Sequence, residues 1–228
     1  MSLTNRVFLV LMFLALGPVP TFGQTLDVQP GSERWFVKTS LPASPKTKTI
    51  TIRKLLSLGS PIGTPSEAPD SARITNPASP GAAKEGTIVT TTAWLHLVAL
   101  ERASGTHRDG DYHIQLRSDS TWGDSCFIVE VPYPPFVDDP ALKDSCERVR
   151  TFIRDRLLAG NEPGTRGNIM QHRVHVKIKG QLFFDASHLR NDGTIDPRGK
   201  QGHGPTPMHS YTAWELHPII SMSFAKNP

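Results

Sequence analysis

The stretch from Val174 to Asp185, VHVKIKGQLFFD, constrains the fold more than any other part of the chain. Val174, Val176 and Ile178 alternate with His175, Lys177 and Lys179, the period-2 pattern of a strand with one buried and one wet face. Gly180 interrupts the alternation, as a bulge or a tight barrel bend does. With the closing run Trp214 to Phe224, WELHPIISMSF, it reads as the last two strands of a small β-barrel.

Three further strands precede this pair. TIVTTTAWLHLVALE, from Thr87, sets Val89, Ala93, Leu95, Leu97 and Ala99 on one face, and its threonines favour extended structure. In the next strand Tyr112, Ile114 and Leu116 alternate with His113, Gln115 and Arg117; in CFIVEVP, Phe127, Val129 and Val131 point inward, Cys126, Ile128 and Glu130 outward. One helix follows: Asp139 suits an N-cap, Pro140 the first helical position, and Leu142, Cys146, Val149, Ile153 and Leu157 recur at helical spacing before Gly160. Its charges, Arg150 and Arg154 among them, read as a solvated face. The order predicts a mainly β protein, a five-stranded OB-fold-like barrel with one helix between strands three and four.

The 228 residues, 37% of them apolar, are enough for a sizeable core. Residues 1–23 read as a signal peptide: Arg6, an apolar run from Val7 to Leu16, then Gly17, Pro18 and small residues before a cut. That predicts a secreted or periplasmic protein. No stretch is long enough to predict a membrane span. Residues 24–86 read as a Pro/Ser/Thr-rich N-terminal segment and linker, with two orderly patches, ERWFVKT and TITIRKLLSLGSP; residues 87–228 form the barrel domain. Loss of Arg6 with the signal lowers the formal charge from +4 to +3, a mild excess that attracts anions without being the basic stripe of a dedicated DNA binder. Cys126 and Cys146, both in the exported part, are expected to form a disulfide, contributing about 3 kcal/mol on a loop-entropy model.

The combination DGDYHIQL, IVEVP, VKIKGQLFFDASH, PRGKQG and WELHP resembles a family of uncharacterised exported bacterial proteins, and ERWFVKT is similar to a segment near the start of such sequences. The resemblance implies an OB-like fold and carries no activity with it. A second resemblance is to the staphylococcal nuclease family, another OB-fold. Asp109, Gly110 and Asp111 match its DGD, and IVEVPYPP stands where that family has a strand ending in an acidic, proline-containing turn. The chain departs from it: no arginine precedes IVEVP, and Tyr133 and Pro134 stand where acids are expected.

Asp185 and His188 end the fourth strand, and Glu215 and His217, two apart on the fifth, share a face. Two imidazoles and two carboxylates suit zinc or another divalent ion if the strands are neighbours, but the favoured reading is that they hold strand ends and a long loop through hydrogen bonds, because no established metal signature is present. Asp111, His113 and Glu130 can join such a site from strands two and three. The glycine-rich loop from Leu189 to Thr212 carries Arg198 and Lys200, which with Lys177, Lys179, His113 and Gln115 form the expected surface for an anion. Trp94, Tyr112, Phe183 and Trp214 either stack on a ligand or pack in the core.

The reading these residues favour is an exported binding module that grips an extended polar or anionic ligand, a nucleic acid or oligosaccharide, and needs no cofactor. Its rival is a divalent-metal-dependent phosphodiesterase. A third is a structural envelope protein with neither property.

Overall fold

The structure, a computed structural model, describes residues 34–77, 83–101, 109–121, 123, 125–194 and 208–226. Residues 1–23, Arg198 and Lys200 lie outside them. Six strands are present among the described residues: β1 (Thr47–Thr49), β2 (Ile88–Leu100), β3 (Tyr112–Arg117), β4 (Ser125–Val131), β5 (Asn168–Phe184) and β6 (His209–Phe224). The α-helices among them are α1 (Trp35–Lys38), α2 (Ile52–Leu56) and α3 (Pro140–Leu157).

The sheet order is β1-β2-β3-β4-β6-β5, and β5 returns to pair with β2, closing a five-stranded barrel. The β4–β6 pairing is parallel, and the other barrel pairings are antiparallel. Closure gives every barrel strand two neighbours and leaves β1 to extend β2 as a short parallel edge. This is the expected OB-fold-like barrel, with α3 between β4 and β5 in chain order.

Alternation fills the interior. Tyr112, Ile114, Leu116, Phe127, Val129, Val131, Val176, Ile178, Trp214 and Leu216 join one apolar cluster, as the period-2 pattern predicts. Each such aliphatic or phenyl side chain contributes about 1.5–3 kcal/mol relative to an exposed one. Strand β2 departs from the simple pattern. A register shift between Leu95 and Leu97 turns the face over, so Val98 and Leu100 enter the cluster in place of Leu97 and Ala99. At Gly180 the β5–β6 register shifts on both sides, and a Cβ there would lie 2.9 Å from Ile219 Cγ2 and 3.0 Å from the Pro218 carbonyl oxygen. Glycine is needed because the strand bends onto its neighbour.

Helix α3 begins as expected: Asp139 Oδ1 accepts from the Leu142 N–H at 2.7 Å, and Pro140 is the first helical residue. Its apolar residues Leu142, Cys146, Val149 and Ile153 join the barrel cluster. Arg150 corrects the solvated-face expectation. It is buried over the Tyr112 ring, 3.6 Å from the centroid, and donates to the Gly110 carbonyl at 2.9 Å.

The expected disulfide is absent: Cys126 and Cys146 are both free and buried. Cys126 points outward from β4 into a small cluster with Ile128 and Met208, whereas Cys146 points from α3 into the main core. The two thiols belong to different apolar clusters, on opposite sides of the β4 layer.

The described part of the N-terminal segment packs on the barrel instead of trailing from it. Ile52 and Leu55 of α2, with Ile74, belong to the barrel core, and the Trp214 indole donates to the Gly59 carbonyl at 2.7 Å. Arg34 makes a bidentate pair with Glu85, 2.7 Å to each oxygen, and donates to the Phe184 carbonyl at 2.8 Å. Glu85 in turn accepts from the Ile74 and Phe184 N–H groups at 2.6 and 2.8 Å. Every oxygen of this buried pair is thereby engaged, the condition under which a buried ion pair is tolerated.

Candidate metal centre

The outer face of β3, β4 and β6 carries polar residues that are buried in the structure. His113 and Gln115 of β3, Glu130 of β4, and Glu215 and His217 of β6 are all buried although they point away from the barrel interior. This corrects the expectation of His113 and Gln115 as residues of a wet ligand-binding face. His113 lies against Glu101 and Glu130, and Gln115 donates to the Met208 carbonyl at 3.4 Å.

Register assembles the cluster. His113 pairs directly with Glu130 across β3–β4, and β4 runs parallel to β6 with Val129 opposite Leu216, so His217 falls beside Glu130 one step further on. Glu130 Oε1 is 3.0 Å from His113 Nδ1, and Oε2 is 2.9 Å from His217 Nδ1. His217 Nε2 lies 3.3 Å from Asp111 Oδ2 on its other side. Glu101, just after β2, places Oε1 3.4 Å from His113 Nδ1.

The DGD turn delivers Asp111. Gly110 takes φ 76°, a left-handed conformation that glycine accepts without strain, and its N–H donates to the Glu101 carbonyl at 3.1 Å. Arg150 holds the Gly110 carbonyl from below, and the Tyr133 N–H donates to Asp111 Oδ1 at 2.8 Å. That bond orients the carboxylate, so Oδ2 is the oxygen that faces His217. Among the described residues Oδ2 makes no hydrogen bond, and neither ring nitrogen of His217 does so, although all three atoms are buried. The protonated ring forms ion pairs with both carboxylates, and the same three side chains offer donor atoms to a cation when the proton leaves.

Three sets of donor atoms each lie within 4.8 Å of one another: Glu101–His113–Glu130, Asp111–Glu130–His217 and Asp185–His188–Glu215. Of the residues read from sequence as metal ligands, Asp185, His188 and Glu215 therefore gather in one set, and His217 stands in the next, 3.9 Å from Glu215 Oε2. In the third set Lys38 of α1 already supplies a cation, its Nζ 3.6 Å from Asp185 Oδ2. Asp185 is also fixed by Ser187, whose N–H and hydroxyl donate to Oδ1 at 3.0 and 2.5 Å.

Electrostatics show how crowded the acids are. Burial, reinforced by Asp111, Glu101 and Glu130, pushes Asp109 up to about 8. Burial, with the charges of Glu130 and Asp185, holds Glu215 well above the usual carboxylate range. For the histidines burial acts downward, but the carboxylates around them outweigh it. Glu101 and Glu130 bring His113 up to about 9, and Asp111 and Glu130 do the same for His217. Glu130 resists its own burial because it faces both imidazoles, which hold it well below its ordinary value. Without a metal the cluster balances its negative charge by retaining protons, and a divalent cation can replace them.

Sequence reasoning missed Glu101, Lys38 and Arg150. Arg150 alone left a trace: it lies four residues after Cys146, at the edge of the apolar stripe. Lys177 and Lys179 stand elsewhere, on the open face of β5. There Thr92 and Thr90 oppose them, and Trp94 sits between Arg117 and His175 in register. Trp94 stacks on His175 at 4.9 Å, while Tyr112, Phe183 and Trp214 are buried.

No protein-family model, curated protein or solved structure matches the chain.

Proposed function

We propose that the protein binds a divalent cation at Asp111, Glu130 and His217 and uses it as a Lewis acid to hydrolyse a phosphodiester. The observation that supports this reading is His217, fully buried between two carboxylates at 2.9 and 3.3 Å, with neither ring nitrogen hydrogen-bonded among the described residues. One imidazole and two carboxylates leave coordination positions for water and for a phosphoryl oxygen, as a catalytic site requires. Glu101, His188 and Lys38 are the partly exposed charged groups around the cluster, and the Lys38 ammonium, 3.6 Å from Asp185 Oδ2, is the cation among them that favours an anion. The test is metal-dependent hydrolysis of bis(p-nitrophenyl) phosphate by chelator-stripped protein. Activity should appear with Mn(II) or Zn(II) and be lost in His217→Ala. A metal-independent rate, or none with any ion, contradicts the reading.

A second reading, a binding module for an extended anion, has its own support in the open β2–β5 face. Lys177 and Lys179 lie there in line with the stacked Trp94–His175 pair and Arg117. A single strand can lay its phosphates along the lysines and a base on the indole. Replacing Lys177 and Lys179 with Ala should flatten the slope of log affinity against log salt for a labelled single strand, by about 0.7 for each phosphate no longer neutralised. An unchanged slope removes this face from the reading.

A further inference from the structure

We propose that the centre is dinuclear, with the carboxylate of Glu130 bridging two cations. This rests on the reading that the cluster binds metal and adds to it the number of ions and the bridging residue.

Glu130 occupies the middle strand of three. Its neighbours across the ladder are His113 on β3 and, one step past the Val129–Leu216 pair, His217 on β6. Adjacent strands are about 4.8 Å apart, so the two imidazoles stand on either side of the carboxylate. Each carboxylate oxygen is committed to a different imidazole, Oε1 to His113 at 3.0 Å and Oε2 to His217 at 2.9 Å. The two histidines fall in different donor sets, one completed by Glu101 and the other by Asp111, and Glu130 is the member the sets share. One ion cannot take the whole cluster. Two ions can, each with one imidazole, one terminal carboxylate and one oxygen of the bridge.

The inner position carries an independent sign that a ligand belongs there. Asp111 Oδ2 and both nitrogens of His217 are buried without a hydrogen bond among the described residues, and Tyr133 turns Asp111 so that Oδ2 faces that position. The outer set has one partly exposed member, Glu101, whose side chain is 22% exposed. The third set does not extend the centre, because Lys38 stands at Asp185. Mixed imidazole and carboxylate donors suit Mn(II) and Zn(II), and two such ions at about 3.5–4 Å form the clamp that polarises both the attacking and the leaving oxygen of a phosphoryl transfer.

The experiment counts Mn(II) bound to chelator-stripped protein after gel filtration and records its electron paramagnetic resonance spectrum. Two ions per chain with a spin-coupled spectrum are expected. Glu101→Gln should retain one tight ion and lose the coupling, with a single cooperative thermal transition of the metal-free protein as the control for folding. One uncoupled ion in the wild type overturns the bridge and leaves the mononuclear reading intact. No bound ion overturns both.

Discussion

Glu130 Oε2 lies 2.9 Å from His217 Nδ1, and the two side chains come from β4 and β6, strands that run parallel although a helix and a further strand separate them in the chain. The parallel pairing exists because the barrel closes, so the site depends on the fold being complete. Glu130→Ala should abolish metal binding. It should also destabilise the metal-free protein by about 3 kcal/mol, since it leaves two buried imidazoles without their shared partner. Urea unfolding measures the loss, and a change under about 1 kcal/mol would show that the cluster does not depend on this carboxylate.

Metal affinity should rise with pH. His113 and His217 are held up to about 9, so at neutral pH each ion must displace a proton, and affinity should climb as pH rises toward that value and level off above it. The stability of the metal-free protein should run the other way. A histidine raised from 6.5 to about 9 contributes stability that is complete below 6.5 and lost as pH passes through 9. Asp109, raised to about 8, acts in the same direction because the folded state keeps its proton longer. Thermal unfolding across that window, with and without Zn(II), should show the metal-free midpoint falling; a flat or rising midpoint contradicts the assignment.

Arg34 and Glu85 tie the segment before the barrel to the end of β5, and each side chain is at most 2% exposed. Arg34→Ala should cost about 3–5 kcal/mol, because a buried carboxylate is left without its partner. A change near zero in urea unfolding would mean that the segment is an appendage.

Cys126 and Cys146 should count as two free thiols in unfolded, unreduced protein. In the native state both should resist alkylation, because burial pushes each thiol up to about 12. Absence of free thiols on unfolding would restore the disulfide.

The alternation of Tyr112, Ile114 and Leu116, of Phe127, Val129 and Val131, and of Val176 and Ile178 made the barrel legible, since a period-2 pattern depends only on neighbours in the chain. The flip at Leu95 and Leu97 was not legible: a bulge in β2 leaves the residue types on both sides apolar. Of the site, the sequence brought Glu215 and His217 to one face and marked Asp111, His113 and Glu130 as additions to it. It could not show that the outer face of β3 is covered, because the covering residues, among them Met208 and Glu101, are distant or lie past a turn. Lys38 reaches Asp185 from a four-residue helix well before the barrel begins, and no local pattern announces that approach.

Calorimetric titration of Mn(II) into chelator-stripped wild type and into His217→Asn tests the central claim most directly. Saturable binding with a raised thermal midpoint is expected in the wild type, and a fall in affinity of more than about 100-fold in the variant, since a direct ligand should weigh at least as much as an outer-shell partner. Equal binding by the two proteins, or none by the wild type, would contradict the claim.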